Sequence, residues 1–390
     1  MTTARKVQKR SRKPDQSQEV ASKKMKKSNQ DHGPAQDVPP VVYKLQSLYR
    51  NGVALEIRSD EPHAEEVIEK IFTAFYKKVL PRLPLQQPDW DTMDSAGLLA
   101  FLDNFNAAAE KFKREKPRSI LTAARWRKVH LDSDSFKEGH LITQLARMLS
   151  TVDERVLKKH YKSFSSETYG ATTTQQMKNI LDQLNVTKKD VIMDLGSGIG
   201  QLATFIVSYV DVKKTYGIEK CPRPAEIATR VSENFKRLMA FFGKVPSPYE
   251  LIEGSFLTPE NSELIKKEAT IIFMNNLLFD NGLMDDLKKI LHLCKSGTRI
   301  VVTKPLDMTR MTEKNFVEHF DSYSDTSDLD SIKCNMEWTE KTIPFWVTTM
   351  RHEKVFEKAA EYQAEKLKRE AKEDARRLAK AEKAKPRTSS

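Results

Sequence analysis

Cysteine is scarce in this chain of 390 residues, and its three copies, Cys221, Cys294 and Cys334, lie far apart without paired spacing. No disulfide framework or zinc site is readable from them. Long apolar runs are missing too: none approaches the roughly 20 residues that cross a bilayer, so no membrane association is expected. The start M-T-T-A-R-K lacks the apolar stretch of a secretory signal, which points to a cytosolic or nuclear protein. Residues 1 to 40 are nearly free of large apolar side chains, and such a segment cannot offset the entropy of ordering. A disordered basic arm is the expectation there.

What is present is positive charge. The formal net charge of +12 implies a polyanionic partner, because a basic surface raises the local concentration of nucleic acid. Arg5, Lys6, Lys9, Arg10, Arg12 and Lys13 form one cluster, and K-K-M-K-K at residues 23 to 27 forms another. These read either as a phosphate-binding or nuclear-import patch or as a solubilising tail.

Between residues 41 and 160 the periodicity predicts a helical subdomain. Val67, Ile68, Ile71, Phe72 and Phe75 recur at helix spacing, as do Leu98, Leu99, Leu102, Phe105 and Ala109, with Asp94 or Ser95 as N-cap of the second helix. Another amphipathic helix is expected from about Leu141 to Leu149. From 161 to 356 the pattern alternates. Strands are predicted at Val191 to Met193, Thr215 to Ile218, Tyr249 to Ile252, Ile271 to Met274 and Thr298 to Val302. Helices near Gln201 to Tyr209, Pro224 to Phe242 and Leu283 to Cys294 separate them, the rhythm of a parallel sheet covered on both faces. Asn335 to Thr342 and Phe345 to Arg351 are expected as antiparallel edge strands. Residues 357 to 390, rich in Ala, Glu, Lys and Arg, predict a solvated helix that frays past Ala384.

The chemistry concentrates in V-I-M-D-L-G-S-G-I-G-Q, Val191 to Gln201. Gly196, Gly198 and Gly200 follow an apolar strand and open a helix, so the backbone can turn sharply and approach a ligand. A nicotinamide site would have a glycine at the sixth position of this loop, where Gln201 stands. Asp194, two residues before the first glycine, would repel a pyrophosphate but attract the ammonium group of S-adenosylmethionine. Glu219 ends the second strand, where such folds place a carboxylate on the ribose hydroxyls. Asn275 and Asn276 sit at the carboxyl end of the fourth strand, which faces the ligand crevice in open parallel sheets; the other reading is that they only turn the loop. Upstream, F-S-S-E-T-Y-G-A-T-T-T-Q, residues 164 to 175, reads as a loop closing over a cofactor, or as a connector capping the next helix.

Taken together, F-S-S-E-T-Y-G-A-T, D-L-G-S-G-I-G-Q, Y-G-I-E-K, N-N-L-L-F, the T-K-P after the fifth strand and E-W-T-E-K resemble the Disruptor of telomeric silencing family, histone lysine methyltransferases that lack a SET domain. The resemblance covers about Val41 to Phe356. It implies a seven-stranded Rossmann-like class I methyltransferase sheet with an N-terminal helical subdomain, and methyl transfer from S-adenosylmethionine to a lysine in the globular core of histone H3 within the nucleosome. By motif position it implies that Tyr169, Gly170, Ala171 and Thr172 cover the methionine part of the cofactor. Asp194, Gly196, Ser197, Gly198, Gly200 and Gln201 would hold its amino acid portion and Glu219 its ribose. Ser255 and Phe256 stand at the adenine end, and Asn275 beside the lysine channel.

Two departures from the family pattern are visible. Ser255 replaces the acid of E-R-G-D-F-L, so the adenine amino group would meet a hydroxyl without charge-assisted strength. Phe345 and Trp346 replace the paired tyrosines after W-T-x-K, leaving an apolar aromatic channel without a tyrosine hydroxyl. The resemblance implies a nucleus-located protein that contacts DNA through its basic arm, with chromatin adaptors as further partners. Two alternatives stay open: a chromatin-binding protein of this fold with weak or no turnover, and a methyltransferase for another protein or nucleic acid.

Overall fold

Strands buried on both faces must be apolar throughout, and Val191–Leu195 (β3) meets that demand, every residue in it being buried. It lies at the centre of a sheet in a computed structural model that describes residues 39–122, 133–151, 171–307, 309–337 and 339–383. The basic arm through residue 38 and the helix end from residue 384 fall outside the described residues. No described helix is long and apolar enough to cross a membrane.

Two short strands come first, Val42–Leu45 (β1) and Leu55–Arg58 (β2), paired antiparallel. A mostly helical region was expected here, without strands. The pair forms because Tyr43, Leu45, Leu55 and Ile57 alternate with exposed residues, and that alternation extends over only four residues per strand. Helix α1, Ala64–Lys70, runs on as a π turn over Ile71–Phe75. Helix α2, Ser95–Glu115, starts as expected: the Asp94 carboxylate accepts from the Gly97 amide at 2.8 Å. Helix α3 spans Ser133–Met148 and α4 spans Thr174–Gln183.

The remaining strands are Lys214–Glu219 (β4), Tyr249–Glu253 (β5), Ile271–Met274 (β6), Arg299–Val302 (β7), Ser324–Leu329 (β8) and Phe345–Met350 (β9). Among the described residues the sheet has the order β5-β4-β3-β6-β7-β9-β8, with β3 to β7 parallel, β9 antiparallel to both its neighbours, and β8 therefore running in the direction of β7. The chain builds outward from β3 through β4 to β5, then crosses back to β6. The crevice at the carboxyl ends of β3, β4 and β6 is therefore the topological switch point where open α/β sheets bind ligands.

One edge strand differs from expectation. The described residues of 335 to 342 form no strand beyond isolated bridges, and the polar S-D-T-S-D-L of β8 pairs with β9 instead. Its four central residues are exposed, so no apolar alternation announces it; backbone pairing and a 2.9 Å hydrogen bond between the Thr326 and Thr348 hydroxyls secure it. Charged side chains suit an edge that must not recruit another strand.

Helices Gln201–Tyr209 (α5) and Pro222–Phe241 (α6) cover one face, and Pro259–Glu268 (α7) and Asn281–Leu291 (α8) flank the other. Every residue of α5 is buried, as expected of a helix sandwiched between a sheet and a further layer. That layer is the N-terminal region: one apolar core runs from Tyr43 and Phe72 through Leu145 and Phe205 to Phe345 and Val347. A second core, on the opposite face, contains Met193, Ile218, Met274, Val302 and Met350. Helix α9, Lys354–Lys383, is exposed over almost its whole described surface.

Candidate active site

Strand alternation decides which side chains meet. Ile192, Phe273, Val301 and Phe345 belong to the first core, whereas Val191, Met193, Leu195, Ile218 and Val302 belong to the second. Asp194, paired with Gly217 on β4 and Phe273 on β6, therefore faces the first side. Glu219 shares that face. It lies two residues past Gly217, about 7 Å further along and one strand spacing of about 4.8 Å across.

Between these acids opens a cavity of about 420 Å³, within the range of small-molecule sites. Asp194, Gly196, Ser197, Gly198, Gln201, Glu219, Ser255, Phe256, Asn275 and Phe345 line it, as do Ala171 and Thr172. Tyr169 and Gly170 lie outside the described residues. Gly200 does not line it. Its φ is +75°, and an added Cβ would stand 2.8 Å from a Leu251 methyl, so its glycine serves close packing of α5 on β5.

The two acids are held differently. Both oxygens of Glu219 accept backbone amides, Oε2 from Gly198 at 2.8 Å and Oε1 from Cys221 at 2.7 Å. This fixes the carboxylate and leaves each oxygen acceptor capacity for a second donor, the requirement for gripping a vicinal diol. Gly198 reaches it with φ +55°, and the amides of Gly196 and Ser197 anchor the loop to the Ile218 carbonyl at 2.9 and 3.1 Å. Asp194 is only 8% exposed, and among the described residues no donor reaches its carboxylate. Burial, and secondarily the negative charge of Glu219, pushes its pKa up to about 7. A buried carboxylate with no donor among the described residues favours a cationic ligand.

At the far end, the rings of Phe256 and Phe279 lie nearly parallel with centroids 6.2 Å apart, forming an aromatic surface for a flat heterocycle. The Ser255 hydroxyl accepts from the Leu257 amide at 3.1 Å while the Asn261 side chain holds the Ser255 carbonyl at 2.8 Å. The asparagine pair divides its labour. Asn276 is fully buried and brackets the T-K-P turn, accepting from the amides of Thr303 and Lys304 at 3.0 and 2.9 Å and donating to the Lys304 carbonyl at 2.8 Å. Asn275 faces the cavity, its Oδ1 accepting from the Thr303 hydroxyl at 2.9 Å.

The aromatic pair of β9 is split. Phe345 lines the cavity, but Trp346 is not brought to it and packs against the second core, because adjacent residues of a strand point to opposite faces. Phe279 and Met177 also line the cavity. Neither was singled out from sequence, although Phe279 ends the N-N-L-L-F motif.

Residues 148–350 match the family described as "Histone methylation protein DOT1", more than half of the chain. The chain belongs to the DOT1 family. Among its relatives, the histone-lysine N-methyltransferase, H3 lysine-79 specific, of Caenorhabditis elegans is 34% identical over 80% of this chain and 33% of its own length. The Drosophila melanogaster protein of the same name is 30% identical over 66% of this chain and 14% of that one. The chain thus spans a third or less of those two relatives. A putative O-methyltransferase structure from Klebsiella pneumoniae aligns at 12% identity and a TM-score of 0.34, covering 57% of this chain and 92% of that one. The DOT1-family match spans β3 to β9 and thereby the whole seven-stranded sheet, with β9 inserted antiparallel beside β7.

Proposed function

We propose that this chain is a histone-lysine N-methyltransferase that uses S-adenosylmethionine and acts on H3 in the nucleosome, at lysine-79 as the names of its relatives indicate. The observation that carries the reading is the pairing of a bare buried carboxylate, Asp194, with an amide-clamped one, Glu219, at the switch point of this sheet. A zwitterionic amino acid joined to a ribose presents an ammonium and a diol at about that separation. Asp194 receives the ammonium and Glu219 the two ribose hydroxyls. Phe256 and Phe279 flank the adenine, and the Ser255 oxygen takes its amino group.

When bound, S-adenosylmethionine supplies a methyl group on a sulfonium, and transfer is an in-line displacement that depends on alignment and on a neutral amine. A free lysine has a pKa near 10.4. The apolar wall of Phe345, Phe273 and Val301 disfavours the ammonium form and excludes water. The Asn275 amide, braced by Thr303, orients the nitrogen. Tyr169 to Thr172 close over the methionine part, and the basic arm docks on DNA phosphates, a salt-sensitive and sequence-independent attraction. Chromatin is accordingly its place of action, in the nucleus, and chromatin adaptors are its further partners.

The test is methyl transfer from radiolabelled S-adenosylmethionine to nucleosomes, free histones and nucleic acid. Label on nucleosomal H3 is expected. Label confined to nucleic acid or to another protein would overturn the substrate, and cofactor binding without labelling would overturn turnover.

A further inference from the structure

The last turn of α3 carries Arg147, far in sequence from the glycine loop. Its Nη1 donates to Gln201 Oε1 at 3.0 Å and to the Glu337 oxygens at 3.2 and 3.0 Å. Gln201 closes the triangle, with Nε2 donating to Glu337 Oε1 at 2.9 Å. Gln201 is buried and lines the cavity. The Arg147 and Glu337 side chains are 15% and 30% exposed, so salt screens them less than an open surface pair.

Glu337 also stands on the strip that forms another wall. Its amide donates to the Ala171 carbonyl at 2.9 Å, and the Thr173 amide donates to the Asn335 carbonyl at 3.0 Å. One residue thus ties together three segments: the Glu337 carboxylate joins the end of α3 to the start of α5, and its backbone amide holds the Ala171 carbonyl.

We propose that Arg147 is a positioning residue for the aminoacyl end of the cofactor. Through Glu337 it holds Gln201 and the Ala171–Thr172 wall, and its cation offsets Glu337 where a carboxylate must be accepted. The proposal rests on the S-adenosylmethionine reading above. Its electrostatic logic is local. The cavity already contains Asp194 and Glu219, and the amino terminus of α5 is the element that favours an anion there. With Arg147 removed, Glu337 would become a third negative charge at the same end and would repel the carboxylate of the ligand. Adenosine recognition, at the Glu219 and Phe256 end, would be untouched.

Two ligands separate these effects: S-adenosylhomocysteine, which carries the amino acid, and 5′-methylthioadenosine, which keeps the nucleoside and thioether without it. Calorimetric titration of the full chain should give Arg147→Met a roughly tenfold weaker affinity for S-adenosylhomocysteine and an unchanged affinity for methylthioadenosine, which also certifies the fold. Arg147→Lys should recover part of the loss, and Arg147→Met combined with Glu337→Gln should recover most of it. An equal loss for both ligands, or no loss for either, would overturn the positioning role while leaving the cofactor reading intact. A parent chain that binds neither ligand would overturn both.

Discussion

The two carboxylates at the tips of neighbouring parallel strands meet opposite conditions. Glu219 has an amide on each oxygen, whereas Asp194, only a strand away and equally buried, has no donor among the described residues and is raised to about 7. The glycine loop makes the difference. Its Gly198 amide turns toward β4, so it serves Glu219 and not Asp194. On the proposed reading, such a site stores unfavourable electrostatics where the ligand's cation would relieve it and keeps the ribose end rigid.

The most damaging way to break this asymmetry is Asp194→Asn. Loss of the buried charge should weaken S-adenosylmethionine roughly hundredfold, read by calorimetry. The same change should stabilise the unliganded protein. The folded-state pKa of Asp194 lies above its ordinary value of 3.8, so the folded chain retains a proton that the unfolded chain releases. Its contribution to stability therefore falls as pH rises from about 4 to about 7 and is constant above that. At 1.36 kcal/mol per pKa unit, the penalty at pH 8 is on the order of a few kcal/mol. Melting scans at pH 5 and pH 8 should show a gain for the variant at pH 8 that shrinks toward pH 5; a lower melting temperature at pH 8 would contradict the account.

The wild-type chain offers a companion measurement. With the ligand ammonium on ionised Asp194, as proposed, affinity should drop as pH falls below about 7, by up to roughly tenfold per unit. Asp194→Asn should abolish that slope, and a slope that persisted would assign it to another group.

Glu219→Gln should act in the other sense on stability. A glutamine can accept from one of the two amides but sets its own NH2 against the other, leaving a buried donor unpaired at a cost of about 1–3 kcal/mol. Both unfolding free energy and methylthioadenosine affinity should fall, whereas Asp194→Asn should leave methylthioadenosine bound. Phe279→Ala, at the nucleoside end, should weaken every adenine-bearing ligand by roughly fivefold through loss of the aromatic face. Ser255→Asp is the smallest expected change: a gain of a few fold for adenine ligands, as a carboxylate accepts more strongly than a hydroxyl. Unchanged affinity would show that the adenine amino group does not meet this side chain.

Much of this arrangement was legible from local pattern. The apolar run into D-L-G-S-G-I-G-Q, the acid ending Y-G-I-E and the first amide after I-I-F-M each sit where an alternating strand and helix rhythm places them, and the fold brings Asp194, Glu219 and Asn275 to one crevice. The failures share a physical cause. β1 and β2 are too short for their alternation to stand out, and β8 has no apolar alternation, its place being set by the backbone of β9. Phe279 and Met177 reach the cavity only because elements distant in sequence converge on it.

The sequence by itself determined the chemistry on offer: two acids, a glycine loop and an aromatic pair, because residue type and strand periodicity are local properties. Which of Phe345 and Trp346 faces the cavity, which asparagine braces the T-K-P turn, and that Glu219 is clamped while Asp194 meets no donor among the described residues were decided by the tertiary structure alone. Side-chain facing and burial depend on strand register and on which amides a loop turns inward. Those are settled only when separate segments pack together.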